Sequence, residues 1–189
     1  MAHLHTKHTY GFEDVSIVPA AHSAIESRRD VDTSVQLTPN VRLETPIIAS
    51  PMADVCDWRM AAEIARAGGV GCIHRFMEVE EQAQQVHMFY EAVTEAQRLQ
   101  VMAAVGTGER AIERAAALVA AGIRTIIVDV AFLNEKTLRT CREIKQRWPD
   151  VEVISGNVAT VMALPLVRRR AYQQYVSALA MARRAVHRE

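Results

Sequence analysis

The 189-residue sequence has no excess of either charge: 22 lysines and arginines stand against 22 aspartates and glutamates. That balance gives no reason to expect nucleic acid or an anionic membrane as partner. No apolar run approaches the roughly 20 residues that cross a bilayer. The start, "MAHLHTKHTYGF", holds His3, His5 and His8 but no apolar stretch of the kind that heads a secretory leader. Cysteine is scarce. Cys56, Cys72 and Cys141 are odd in number, widely spaced and in no CxxC arrangement, which points to a reduced, cytoplasmic protein and away from a disulfide framework. A further absence is local. After Gly156 there is no glycine and after Cys141 no cysteine, while residues 161–189 carry six arginines and one acid.

What is present is apolar and periodic. Half the residues are hydrophobic, which excludes a disordered chain, and the length suits one domain with a sizeable core. Short β-branched runs alternate with longer amphipathic ones. "TPIIASP", "VGCIH", "VMAAVG", "RTIIVDV" and "VEVISGN" read as five buried strands. Between them, "DWRMAAEIARAGG" places Met60, Ile64 and Ala67 at helical spacing and stops at Gly68-Gly69. Residues 79–99 read as one long helix led by Glu78, Glu80 and Glu81, acids that suit a helix N-terminus. "ERAIERAAALVAAG" ends at Gly122, and "NEKTLRTCREIKQRWP" has Asn134 as N-cap and Pro149 past its end. Strand followed by helix, repeated every 25 to 30 residues or so, means parallel βαβ units. A barrel of eight such units takes about 250 residues, whereas a doubly wound sheet closes at five strands, so the pattern leaves both open. In either, ligands bind at the C-terminal ends of the strands, where Ser50, His74, Gly106, Asp129 and Asn157 fall.

Six stretches, "GFEDVSIVPA", "VDTSVQLTPNVRLETPIIASPMADV", "MAAEIARAGGVGCIHRFMEVEEQAQQV", "MAAVG", "IIVDVA" and "VISGNVAT", occur in that order. Together they resemble the N-terminal half of the barrel domain of the IMP dehydrogenase / GMP reductase family, over about residues 10–160. The resemblance implies an α/β fold of (β/α)8 TIM-barrel type, here about four βα units plus a fifth strand, with tetrameric homo-oligomers in the family. It implies a purine mononucleotide substrate, NAD or NADP, and a cysteine thiolate that attacks C2 of the purine. By the resemblance, Ser50 and Met52 of "ASPM" lie against the nucleotide. Asp129, with Val130 and Ala131 after it, matches the aspartate beside the nicotinamide riboside, where a carboxylate accepts from ribose hydroxyls. Asn157 of "SGN" matches the asparagine between ligand and catalytic loop. Ser27 and Arg28 of "ESRRDVD" resemble a segment that reaches a neighbouring subunit's cofactor in reductases. Arg75 of "IHRF" stands where a lysine is frequent, a planar fork in place of a point charge.

Only "HMFYEAVTEAQRLQ" separates the second and third barrel strands, so the family's regulatory CBS insert is absent there. "ESRRDVD" and "IHRF" resemble the reductase, "ASPM" and "ARAGGVGCIH" the dehydrogenase. The dehydrogenase is the reading taken, with GMP reductase and a non-catalytic nucleotide-binding or subunit-association fragment as alternatives. After Thr160 nothing resembles the family's glycine-rich loop, so its nucleophilic cysteine and monovalent-cation site have no counterpart. The expected organisation is a flexible start over 1–12, a partial barrel over 13–160 and a non-family tail over 161–189. The tail reads either as an Arg-rich helix with Val167, Ala171, Tyr175, Ala178 and Ala182 along one face, or as the product of a reading frame that slipped soon after Thr160. The chain is expected to be inactive alone and to associate through the open first and fifth strands.

Overall fold

The protein is described by a computed structural model over residues 12–19, 21–158 and 173–174. A short antiparallel pair, β1 (Val35–Gln36) and β2 (Arg42–Leu43), precedes the main sheet. Then come β3 (Ile48–Ala49), α1 (Trp58–Arg66), β4 (Val70–Ile73), α2 (Val79–Ala92), β5 (Val101–Val105), α3 (Glu109–Ala120), β6 (Thr125–Asp129), α4 (Glu135–Arg147), β7 (Glu152–Gly156) and β8 (Gln173–Gln174). Each of the five expected strands forms where its β-branched run lies. The residues of β4, β5 and β7 are all buried, as in a strand covered on both faces.

Helix ends follow local chemistry. Asp57 caps α1, its carboxylate accepting from the amides of Arg59 and Met60 at 3.0 Å each. Asn134 caps α4, accepting from the amide of Thr137 at 3.0 Å. Gly68 leaves α1 at φ +82°, the left-handed position that favours glycine. The long helix expected over 79–99 is shorter: α2 ends at Ala92, and Val93 is extended. A single 3-10 turn (Glu95–Gln97) follows, closed by the Gln97 side chain accepting from the Thr94 amide at 3.1 Å. Two successive β-branched residues and that local cap compete successfully with another turn of α-helix.

The buried face of α1 also differs from the expected stripe. Ala61, Ala62 and Ala65 are buried, while Met60 is 44% exposed. The reason is distance. A side chain on Gly71 of β4 would stand 2.4 Å from the Cα and Cβ of Ala61, so strand and helix approach as closely as backbones allow, and only small residues fit between.

The sheet runs β3-β4-β5-β6-β7-β8, every pair parallel and every neighbour consecutive in sequence. A doubly wound sheet reverses its order at a switch point and carries helices on both faces. Here the order never reverses. One face (Ile73, Val101, Ala103, Val105, Ile126, Val128, Val153) packs against residues of all four helices, among them Ala61, Phe89, Leu118 and Ile144. The other face (Val70, Cys72, Met102, Ala104, Ile127, Ile154) is met, among the described residues, by no helix but by Leu37, Val41 and Leu43 of the β1–β2 segment. This is the wall of a (β/α) barrel, helices outside and an inward face within.

The β1–β2 turn is held at the N-terminal edge of that wall. Buried Glu152, first residue of β7, accepts from the Thr38 hydroxyl and, at 3.1 Å each, from the backbone and side-chain nitrogens of Asn40. Gln82, fully buried on α2, ties the outer layer. Its amide donates to the carbonyls of Ile73 (3.3 Å) and Ala104 (3.0 Å), and its oxygen accepts from Arg114 of α3 at 2.8 Å.

Two expectations about the chain's later part need correction where it is described. Gln173–Gln174, inside the segment read as helical, is a strand pairing with Ile154 and Ser155. The fifth strand is therefore not an open edge, because an unpaired row of N–H and C=O groups recruits backbone partners irrespective of side-chain pattern. The remaining tail positions and the histidine-bearing start lie outside the described residues.

Candidate functional site

Because the five strands β3 to β7 are parallel and consecutive, their C-terminal ends form one rim. Ser50, His74, Gly106, Asp129 and Asn157 follow one another along it in strand order. The β3 loop is folded by its own backbone: the Met52 amide donates to Ser50 O at 2.8 Å, and the amides of Val55 and Cys56 donate to Met52 O at 3.0 and 3.1 Å. This leaves Met52 55% exposed at the rim.

The β6 and β7 ends are zipped beyond the strands. Val130 N donates to Gly156 O (3.1 Å), Asn157 N to Val130 O (2.7 Å) and Leu133 N to Asn157 O (3.1 Å). Asp129, Val130 and Asn157 are thus carried on one rigid loop pair, and Ala131 follows exposed. Burial pushes the half-buried carboxyl of Asp129 above its ordinary value, and the Arg75 guanidinium draws it part of the way back. Arg75 is therefore within electrostatic reach of Asp129, although no ion pair joins them.

His74 at the end of β4 is buried. Its Nδ1 accepts from the Phe76 amide at 3.2 Å, which assigns the neutral ring's proton to Nε2. Burial lowers its pKa, against the pull of Glu81, Asp57 and Asp54. The imidazole is a packed neutral ring here, stacked on Phe76 at 6.2 Å.

Ser27 and Arg28 belong to a local turn ahead of the sheet. Ser27 caps a 3-10 turn (Arg28–Asp30), accepting from the Arg29 amide at 3.2 Å while Asp30 accepts from the Ser27 amide at 3.0 Å. Both are exposed, and among the described residues neither forms a hydrogen bond or ion pair with a strand-end residue. None of the three cysteines suits a nucleophile. All are buried, and burial pushes the thiols of Cys56 and Cys141 up to about 11 and that of Cys72 well above its ordinary value.

Two aromatic side chains at the rim escaped the sequence reading. Phe76 is 60% exposed after β4 and Phe132 69% exposed after β6. The available signal was an aromatic within three residues of a buried strand's end, where packing cannot claim it. A cleft of about 540 Å³ adjoins the same edge between the start of α3 and α4, and the cations Arg110, Lys136 and Arg139 line it together with the acids Glu109 and Glu143. None of these three cations has an ion-pair partner among the described residues. Among the described residues, no cluster of His, Cys, Asp and Glu could hold a metal ion, and no helix is long and apolar enough to cross a membrane.

Comparison with known proteins agrees with the barrel wall. The family model described as IMP dehydrogenase / GMP reductase domain matches residues 9–171, running past Thr160 into the segment read as tail. The chain is similar to an inosine-5'-monophosphate dehydrogenase of Cryptosporidium parvum, 31% identical over 188 residues, covering 79% of this chain and 46% of that protein. A dehydrogenase of the same name from Borreliella burgdorferi is 27% identical over 201 residues, covering 82% and 49%. A GMP reductase of Leishmania donovani is 43% identical over 75 residues, 40% of this chain and 15% of that one. The chain thus spans about half the length of the relatives that match most of it. A helix-flanked wall of consecutive parallel strands, a rim bearing the "VDVA" aspartate and the "SGN" asparagine side by side, and a match over most of its length place this chain in the IMP dehydrogenase / GMP reductase domain family.

Proposed function

We propose that residues 13–160 supply a binding rim for a purine mononucleotide and a nicotinamide dinucleotide, in a protein of IMP dehydrogenase type acting in the cytoplasm. The observation that carries this is that Asp129 and Asn157 sit on two loops zipped together through Val130, Gly156 and Leu133, near an Arg75 that has no ion pair among the described residues and beside exposed rim aromatics. The residues fit the cofactor. A half-buried carboxylate at a strand end accepts from ribose hydroxyls, and an amide beside it both donates and accepts. The unpaired cations Arg110, Lys136 and Arg139 suit the phosphates of the dinucleotide. Held there, the dinucleotide would supply hydride transfer, accepting in the dehydrogenase direction and donating in the reductase direction. The chain's own residues orient the two rings, with Ser50 and Met52 on the nucleotide side. Ser27 and Arg28 would act, if at all, toward a neighbouring subunit.

A second reading is favoured by the cysteines. With every thiol of this chain buried and held protonated, the chain binds nucleotide without turning it over by covalent catalysis. Self-association of copies through the edge of β3, unpaired among the described residues, accompanies either reading. The deciding experiment measures thermal stabilisation by IMP, GMP, NAD and NADP together with NAD(P)-linked turnover. Stabilisation with turnover establishes the enzyme, and stabilisation without turnover establishes the binding role. The absence of any stabilisation rejects both.

A further inference from the structure

The loop that follows β4 is held from behind by side chains of the helix layer. Gln82 of α2 donates from Nε2 to the carbonyl of Ile73, the last residue of β4, at 3.3 Å, and to that of Ala104 in β5 at 3.0 Å. Its Oε1 accepts from Arg114 Nη1 at 2.8 Å, and Arg114 Nη2 donates to the carbonyl of Met77 at 2.8 Å. Only His74, Arg75 and Phe76 stand between the two fixed carbonyls. Within the loop, the Phe76 amide donates to His74 Nδ1 at 3.2 Å. Gln85, three residues on and so beside Gln82, donates to Met77 Sδ at 3.5 Å and accepts from the Trp58 amide at 3.0 Å. One face of α2 therefore ties the β4 loop to the start of α1.

Packing alone does not require this arrangement. An apolar side chain of similar volume would bury at position 82 without desolvating an amide, and the fully buried amide is tolerated because its nitrogen and its oxygen are both answered. Arg114 is half-buried, with Glu78 and Glu80 near enough to influence its charge, yet among the described residues it forms no ion pair. Its two terminal nitrogens go to neutral oxygens instead. A planar fork that bridges two oxygens fixes an angle as well as a distance, which a point charge does not. What it holds is a rim element. Phe76 is 60% exposed there, and Arg75 Nη1 lies 3.7 Å from the point where a Cβ on Gly106 would stand, which seats the loop against the end of β5.

We propose that Gln82 and Arg114 are positioning residues which, from the helix layer, set the conformation in which the His74–Phe76 loop meets a bound nucleotide. The inference rests on the nucleotide-binding reading above. Such a pair changes affinity without touching the ligand. A loop free to sample other conformations binds only through the competent fraction of its population, and the apparent affinity falls by that fraction.

The test uses the full chain with Arg114→Met, Arg114→Lys and Gln82→Met, and with Glu152→Ala as a control at the opposite edge of the sheet. Hydrogen exchange over residues 74–77 reads the loop, thermal unfolding reads stability, and calorimetric titration reads affinity for whichever of IMP, GMP, NAD and NADP the wild type binds. Arg114→Met should speed exchange over 74–77 and weaken binding by about tenfold, as for a competent fraction reduced to about a tenth. Gln82→Met, which keeps the volume and removes the hydrogen bonds, should do the same. Arg114→Lys keeps a donor but not the fork and should recover part of the loss. Glu152→Ala should melt lower yet bind as the wild type does, whereas a merely structural role predicts affinity that follows the melt in every variant. The inference is overturned if Arg114→Met and Gln82→Met both bind within about twofold of the wild type, or if Glu152→Ala loses as much affinity as they do. If one of the two clamp variants fails to melt cooperatively the other decides, and if both fail Arg114→Lys is read against Glu152→Ala by the same criterion. Failure of the wild type to bind any of the four ligands overturns the reading on which the inference rests, and the inference with it.

Discussion

At Asp129 the physics of stability and of binding pull in opposite directions. Burial raises its carboxyl above its ordinary value, with Arg75 offsetting part of the effect. A folded pKa above the unfolded one means that the native state holds the proton more tightly. The stability this group contributes is present below the unfolded value and is lost as pH rises through the folded value, so the ionised carboxylate is a net penalty near neutrality. Asp129→Asn should therefore melt above the wild type at about pH 7, with the gap closing toward about pH 4. The same variant should bind NAD more weakly, because an amide presents one acceptor where the carboxylate presents two. A variant that melts lower at neutral pH would show that the carboxylate has a structural partner. At this scale caps were readable from sequence, since Asn134 and Asp57 act within their own turns. Arg75 was readable only as a cation. Its setting on Gly106 joins two strand ends that the chain separates by a whole helix.

Elements are held together by two contacts of opposite kind. Gly71 lets α1 approach β4, and Gly71→Ala drives a methyl into Ala61 at 2.4 Å, where backbone must yield. The expected loss is about 1–3 kcal/mol, the range of an overpacked core, and denaturant unfolding reads it. Glu152 holds the β1–β2 turn at the opposite edge from the rim. Glu152→Ala leaves the groups of Thr38 and Asn40 unanswered and should lose about 1–3 kcal/mol, with faster proteolysis in 33–45. Unchanged proteolysis there would mean that the apolar contacts of Leu37, Val41 and Leu43 suffice. Helical period located α1 and α2 but not the face that α1 buries nor the point where α2 ends. The first depends on a glycine in another element. The second is a competition between one more helical turn and a local cap, which periodicity does not weigh.

For the whole molecule, β3 is the exposed boundary. It pairs with β4 alone among the described residues, and Ile47 beside it is 51% exposed. Under the proposal that copies associate there, light scattering should show species larger than a monomer. Ile47→Lys should shift them toward monomer, since an edge lysine blocks strand addition. A monodisperse monomer in the unmodified protein would rule the proposal out. The scale also explains what pattern left undecided. Barrel and doubly wound sheet share one alternation of strands and helices, and only the order β3 to β8 separates them.

By itself the amino-acid order determined which stretches become strands or helices, because a buried strand must be apolar and a helix must be punctuated by caps and glycines. It also determined that the polar residues Ser50, His74, Asp129 and Asn157 come at strand ends. The tertiary structure alone decided that these ends make one rim and that the loops after Asp129 and Gly156 are bonded to each other through Val130 and Asn157. It alone showed that all three thiols are buried and that Arg75 lies against a glycine with no ion pair among the described residues. Those properties arise from contacts between segments distant in sequence, and no local period encodes which distant segment will be the neighbour.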